Sequence, residues 1–337
     1  MHISLFDYNL PKELIAYFPS QKRDESRMMV YFRKDDKIVH TVFKKFPDYV
    51  SSDDLIIANN VKVIPAKIIG KKETGGKVEI LLIRKLNENR WEAFLKASKI
   101  PKLGGEIFID KNIICKICNK VENRFIIEFS EDFSLEKYGK IPLPPYIKRE
   151  VKEIDYTRYQ TIFADDKHKG AIASPTAGLH FTNEIIEILK EKGVKICFVT
   201  LYVSFATFQP VKVENILEHK MHYEDYEIPK ETEKIVNENF GKKNIVAVGT
   251  TVVRALEDNY LRFKRIKSGK FTTNLFIYPG FKFNVVNKLL TNFHLPKSTL
   301  LMLVSAFAGR ENILRCYEEA IKKRYRFFSY GDCMFII

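Results

Sequence analysis

Asn244–Asp258 reads NIVAVGTTVVRALED. Ile245–Val248 is an unbroken apolar run of strand length, Gly249-Thr250-Thr251 is a small polar loop, and a helix carrying Arg254 follows from Val252. A strand apolar at every position is buried on both faces, as in a parallel sheet. The same design returns at Lys288–Phe307: strand Leu289–Phe293, loop His294-Leu295-Pro296-Lys297, then a helix capped by Ser298. It occurs a third time at Ala173–Lys192, where the compact loop SPTAGLHF (Ser174–Phe181) feeds a helix over Asn183–Lys192. Thr182 suits the N-cap of that helix, Gly193 its end, and Val194–Val203 a following strand. Strand, polar loop and helix in repetition predict an α/β domain whose ligands gather at the carboxyl ends of its strands. The recurrence is one of design, with no repeat at a fixed period.

Upstream, Pro11–Tyr17 is expected to form a short helix between Leu10-Pro11 and Pro19. Arg27–Phe32 and Lys37–Thr41 read as two strands, and Asp54–Asn60, DLIIANN, as an apolar strand closing in two amides that suit a strand-end turn. From about Val63 to Phe133 the texture changes. Short β-rich runs recur at Ala66–Gly70, Lys77–Leu86, Arg90–Ala97, Glu106–Ile109, Ile113–Val121 and Arg124–Phe129, separated by turn residues and without helical periodicity. That pattern predicts a small barrel or sandwich. The connector IPLPPYIKR (Ile141–Arg149) reads as a semi-rigid hinge. The expected architecture is a discontinuous α/β domain, residues 1–62 and 150–337, with a mixed sheet flanked by helices. Residues 63–149 form the smaller inserted all-β, barrel-like domain with its proline-rich connector.

The 337 residues carry 56 Lys+Arg against 42 Asp+Glu, a formal charge of +14 that points to a polyanionic partner. Five scattered cysteines argue against a disulfide framework and fit a reducing cytoplasm. Cys115 and Cys118 form a CxxC with no second pair nearby, and the alternation of Ile113, Cys115 and Ile117 reads as core. His219 and His222 lack the remaining ligands of a metal site, so no metal is expected. No signal peptide opens the chain and no apolar run reaches membrane length, so no membrane partner is expected.

These blocks resemble a known family. FDYNLPKELIAYFP, RDESRMMV, LIIANNVKVIPAKI, YQTIFA, SPTAGLHFT, TFQPV, VGTTVVRALE, TNLFIYPGFKF, LLTNFHLPKSTLLMLVSAFAG and RFFSYGD follow in the order found in S-adenosylmethionine:tRNA ribosyltransferase-isomerases of queuosine biosynthesis. The resemblance covers nearly the whole chain. It departs at Ser204-Phe205-Ala206, where the family has a glycine-containing run, and at MHYEDYE. It implies transfer and isomerisation of the ribosyl part of S-adenosylmethionine onto 7-aminomethyl-7-deazaguanine at the tRNA wobble position. Epoxyqueuosine-tRNA, adenine and methionine are the implied products. S-adenosylmethionine is then a consumed substrate with no further cofactor, and the enzyme a cytoplasmic monomer acting on tRNAs with GUN anticodons.

That chemistry needs a base for the proton on the 5′ carbon beside the sulfonium, for which His180 and then His294 are the candidates. Thr176 or Asn292 suits the departing adenine, and Gly178, Thr207 and Gln209 join them as substrate contacts. Thr250 and Thr251, or Lys297 and Ser298, at helix starts suit the methionine carboxylate, with Arg254 one turn further. For the RNA, Tyr278, Phe281, Tyr325, Arg326 and Tyr330 are expected to stack or pair, with Lys148 and Arg149 as outer contacts. One rival reading is a different tRNA-modifying or nucleoside-transferring enzyme on the same fold, supported by the altered Ser204–Ala206. The other is a non-catalytic RNA-binding protein, which would need no pocket rich in Thr, His, Asn and Gln.

Overall fold

The computed structural model describes residues 1–204 and 211–337. In chain order, β1 (Arg27–Phe32), β2 (Lys37–Val42), β3 (Asp54–Asn59) and β4 (Lys62–Val63) lead into six strands of the insertion. These are β5 (Lys67–Lys72), β6 (Lys77–Lys85), β7 (Arg90–Lys96), β8 (Glu106–Asp110), β9 (Ile113–Val121) and β10 (Arg124–Phe129). Short helices α1 (Leu135–Tyr138) and α2 (Glu153–Arg158) precede β11 (Lys169–Ala171), α3 (Asn183–Glu191) and β12 (Lys195–Leu201). Next come β13 (Glu224–Ile228), α4 (Lys230–Asn239), β14 (Asn244–Val248), α5 (Thr250–Phe263) and β15 (Gly269–Thr273). The last elements are β16 (Lys288–Asn292), α6 (Thr299–Ala308), α7 (Arg310–Lys322) and β17 (Cys333–Ile336).

The main sheet has nine strands in the order β15-β13-β12-β3-β14-β16-β17-β1-β2. Its centre, β12-β3-β14-β16, is parallel, and the flanking pairs β12·β13, β16·β17 and β1·β2 are antiparallel. Burial explains the apolar central strands. Leu55 and Ile57 of β3 face the core under α4–α7, while Ile56 and Ala58 face the core formed by α3 and the turn at Phe43–Tyr49. Successive side chains of a strand point to opposite faces, so covering both faces demands an apolar residue at every position. Val246 and Ala247 divide the same way in β14.

The insertion closes as a barrel in the order β10-β7-β6-β5-β8-β9. Ile80 and Leu82 point inward from β6, as do Ile107, Ile117 and Ile127 from neighbouring strands. At Gly70 a β-carbon would stand 2.5 Å from Cγ2 of Ile107, so glycine allows β5 to cross close to β8. Lys67 and Lys140 pair through two backbone hydrogen bonds of 3.0 and 2.7 Å, so the barrel's entry and exit meet.

Three expectations are corrected. Pro11–Tyr17 makes only a 3-10 turn at Lys12–Leu14, because Leu14 and Ala16 pair with the backbone of Phe327 instead of continuing a helix. An isolated turn is a poor helix nucleus, and strand-like pairing takes it over. Cys115 lies in the barrel core, whereas Cys118, three residues on and of opposite parity, is exposed on the outside. The proline-rich connector is no free hinge: Ile141 and Ile147 pack into a core with Val61, Tyr159 and Tyr330.

Candidate active site

The parallel strands β12, β3, β14 and β16 deliver their carboxyl ends to one edge of the sheet, and a small, partly open cavity of about 60 Å³ lies there. Gly249 turns β14 into α5 with φ 94°, a region open essentially to glycine alone. The turn leaves Thr250 and Thr251 at the start of α5, facing the cavity. Opposite, Ser298 caps α6 by accepting from the Leu301 N–H at 3.2 Å. Two helix N-termini therefore border one space, each bringing partial positive charge and backbone donors.

The polar side chains sort into those already used and those left over. Thr176 Oγ1 donates to Asn292 Oδ1 at 2.7 Å, and the Asn292 amide lies 3.4 Å from His180 Nε2. Thr176 and Asn292 line the cavity, and His180 stands behind them as the third member of the relay. His294 lines the cavity itself, with Nε2 2.7 Å from Thr291 Oγ1 and its backbone N–H donating to the Tyr317 hydroxyl. The Tyr8 hydroxyl donates to the His294 carbonyl, so the loop is held from outside as well. Left over are Ser174 Oγ and Thr251 Oγ1, buried hydroxyls on the cavity wall without a partner among the described residues. Buried polar atoms are nearly always paired, so two orphans facing one cavity mark where ligand atoms belong.

Both histidines are neutral in the free protein. Burial, reinforced by Arg23, Arg326 and Arg158, brings His180 down to about 3; burial alone brings His294 down to about 3. A neutral imidazole has a free lone pair with which to accept a proton.

A family profile described as "Queuosine biosynthesis protein" matches residues 3–336. The chain belongs to the queuosine biosynthesis family. It is 52% identical to the S-adenosylmethionine:tRNA ribosyltransferase-isomerase of Sulfurihydrogenibium sp. and 50% identical to that of Aquifex aeolicus, each aligned over 100% of both chains. The crystal structure of S-adenosylmethionine tRNA ribosyltransferase from Thermotoga maritima matches 99% of this chain and 100% of its own, with a TM-score of 0.56 and 38% identity. That neighbour and this chain share the α/β-plus-barrel fold.

Within this queuosine-family chain, the candidate residues separate by position. Thr176, Thr250, Thr251, Asn292, His294 and Ser298 meet at the cavity, together with Ser174, which sequence reasoning passed over although it opens SPTAGLHFT. Gly178 does not line it; a β-carbon there would stand 3.0 Å from the Thr161 methyl, so its smallness serves packing. Lys297 is drawn off to an ion pair with Asp7 at 2.7 Å. Arg254 is buried in an ion pair with Glu224 and faces a second, adjoining cavity. Thr207 and Gln209, with Phe205 and Ala206, lie outside the described residues.

The RNA candidates fare less well. Tyr325 is fully buried beneath Arg27, whose guanidinium lies 3.9 Å from its ring, and Tyr330 is buried with its hydroxyl donating to Asp155. Neither offers a face to a base, since both rings are spent on the core. Arg149 makes a two-pronged pair with Asp155, at 2.7 and 2.8 Å, and its charge is offset there. Tyr278 and Phe281 are half-buried, Lys148 is exposed, and Arg326 donates to the Phe18 carbonyl. Among the described residues no group of three or more His, Cys, Asp or Glu stands together as a metal site, and no helix is long and apolar enough to cross a membrane.

Proposed function

We propose that the cavity at the carboxyl ends of β14 and β16 is where the ribosyl group of S-adenosylmethionine is transferred and isomerised onto the wobble 7-aminomethyl-7-deazaguanine of tRNA. The activity is that of the chain's family and its full-length relatives. The observation that carries the location is the pair of unpartnered buried hydroxyls, Ser174 and Thr251, facing one cavity between two helix starts. S-adenosylmethionine is consumed, giving epoxyqueuosine-tRNA, adenine and methionine, with no further cofactor.

The sulfonium acidifies the adjoining 5′ carbon, and a neutral imidazole takes that proton. His294 faces the cavity and is the first candidate; His180 acts through Asn292, which it holds against Thr176. Ser174 and Thr251 supply hydrogen bonds to the sugar or the departing adenine. On the RNA side, Phe18 and Tyr17 are exposed aromatics. Arg149 lies 4.2 Å and Lys152 5.0 Å from the Phe18 ring. Next to them stand Arg23, Arg158 and Arg326, which donate to backbone carbonyls and have no acidic side chain within ion-pair distance among the described residues. Exposed rings framed by uncompensated guanidinium groups suit the unstacked bases and phosphates of an anticodon loop. Ser329 lines both this arginine-rich hollow and the central cavity, so the wobble base has a short way in. The enzyme works in the cytoplasm, as a monomer, on tRNAs with GUN anticodons.

The test is incubation of purified protein with S-adenosylmethionine and tRNA carrying the aminomethyl-deazaguanine, with adenine followed by chromatography. Adenine release that depends on that base is expected. Tight tRNA binding without adenine release would overturn the transferase reading. His294→Ala and His180→Ala, compared in the same assay, should each lower the rate about 10²-fold or more if they take or orient the transferred proton.

A further inference from the structure

A second cavity, of about 330 Å³, adjoins the first, and Leu300 lines both. Its lining includes the apolar side chains of Leu275, Phe276, Ile277, Leu303 and Met221. Arg254, Glu224, Ser204, Lys212, His219 and His222 are among its polar lining. Arg254 is only 5% exposed, yet its hydrogen bonding is incomplete. Nη1 donates to Glu224 and Nε to the Leu275 carbonyl at 3.1 Å, whereas Nη2 is buried with no partner among the described residues. Ser204 Oγ, from another lining residue, is likewise buried and unpaired among the described residues. An unfilled guanidinium N–H is costly to bury, and a planar fork of this kind matches a carboxylate.

We propose that this cavity takes the amino-acid end of S-adenosylmethionine, with the α-carboxylate on Arg254 Nη2 and Ser204 and the α-ammonium on the acidic side of the Arg254–Glu224 pair. The assignment rests on the reaction proposed above and divides its substrate between the two cavities. The two methylenes and the sulfonium lie along the apolar residues, where the face of the Phe276 ring suits a cation. The ribose passes the Leu300 boundary to the unpaired hydroxyls of Ser174 and Thr251 in the first cavity, and the adenine extends through that cavity's open side. The first cavity, at about 60 Å³, is far below the volume of ordinary small-molecule sites, so a substrate of this size must use the second as well. Arg254 thereby replaces the helix starts at Thr250-Thr251 and Ser298 as the carboxylate's anchor. Glu224 keeps the guanidinium neutralised and aimed while the site is empty.

The test compares three probes by calorimetry, without tRNA and without turnover, so that its result stands whatever the adenine assay gives. S-adenosylhomocysteine and L-methionine carry the amino-acid end; 5′-methylthioadenosine lacks it. Arg254→Met/Glu224→Met removes the ion pair as a unit, which avoids leaving one charge buried alone. Met221→Trp fills the cavity from a half-buried position and leaves the pair intact. Both variants should lose S-adenosylhomocysteine and methionine affinity at least tenfold while binding methylthioadenosine as the unaltered protein does. Equal loss for methylthioadenosine, or S-adenosylhomocysteine affinity unchanged in both variants, overturns the assignment.

Discussion

Thr251 shows how a side chain can be an energetic liability in the empty protein and useful once substrate arrives. Its hydroxyl is buried without a partner among the described residues, so it forgoes water and gains nothing in return until a ligand accepts from it or donates to it. Thr251→Val keeps the shape and removes the liability. The expected outcome is a protein at least as stable as the original, by up to about 1 kcal/mol, with kcat/KM for S-adenosylmethionine lowered about tenfold. Thermal unfolding and steady-state kinetics on the same preparation check both signs, and a loss of stability with full activity would contradict the site. Ser174 is the same kind of residue. Its role is hidden in the sequence, because a serine beside a proline reads equally well as a turn. Tyr325 and Tyr330 show the opposite failure. Arginines alternating with aromatics describe both a stacking surface and a packed core under cation–π cover, and only burial distinguishes them.

Among the elements, the six barrel strands and the β14–α5 and β16–α6 units are legible, because alternation, continuous apolar runs and glycine or serine boundaries each have a local physical cause. β17 is not. Cys333–Ile336 is four apolar residues whose strand pairing with β1 and β16 depends on segments about 300 and 45 residues away in the chain. Leu14–Ala16 is lost to the same kind of remote partner, Phe327. The segment Tyr17–Gln21 is positioned by this capture. Arg326 and Arg158 bind the carbonyls of Phe18, Ser20 and Gln21, which pins an exposed ring among cations. Phe18→Ser and Arg326→Gln are expected to weaken tRNA binding while leaving S-adenosylhomocysteine affinity unchanged. For Arg326→Gln the slope of log affinity against log salt should fall by about 1, and for Phe18→Ser it should not change. Filter binding over a salt series reads this directly; an unchanged slope in Arg326→Gln would place the phosphates elsewhere.

Taken whole, the molecule carries a pH limit set by two buried histidines. His180 and His294 titrate near 6.5 in an unfolded chain and near about 3 in the folded protein. Their folded values are depressed, so below 6.5 the unfolded chain takes up protons that the folded protein refuses. Stability present above 6.5 is then lost as pH falls towards 3, at about 1.4 kcal/mol per pH unit for each histidine. Acid unfolding followed by circular dichroism should therefore be shallower between those pH values in His180→Gln/His294→Gln. An equally steep slope would mean that the two imidazoles are not kept neutral by the fold.

The placement of β17 between β16 and β1 also sets a schedule. β1 and β2 are made within the first 42 residues, yet in the sheet they reach β16 only through residues 333–336. On the ribosome, the early hairpin must therefore wait, with one edge bare, while the barrel and the central strands take shape. The barrel, whose ends meet at Lys67 and Lys140, can close long before. Since the hollow beside His180 is walled by Ser329 and Gly331 just ahead of β17, the end of the pocket proposed to receive RNA is finished only when translation nears its end. A nascent chain cannot engage its RNA through an unfinished site.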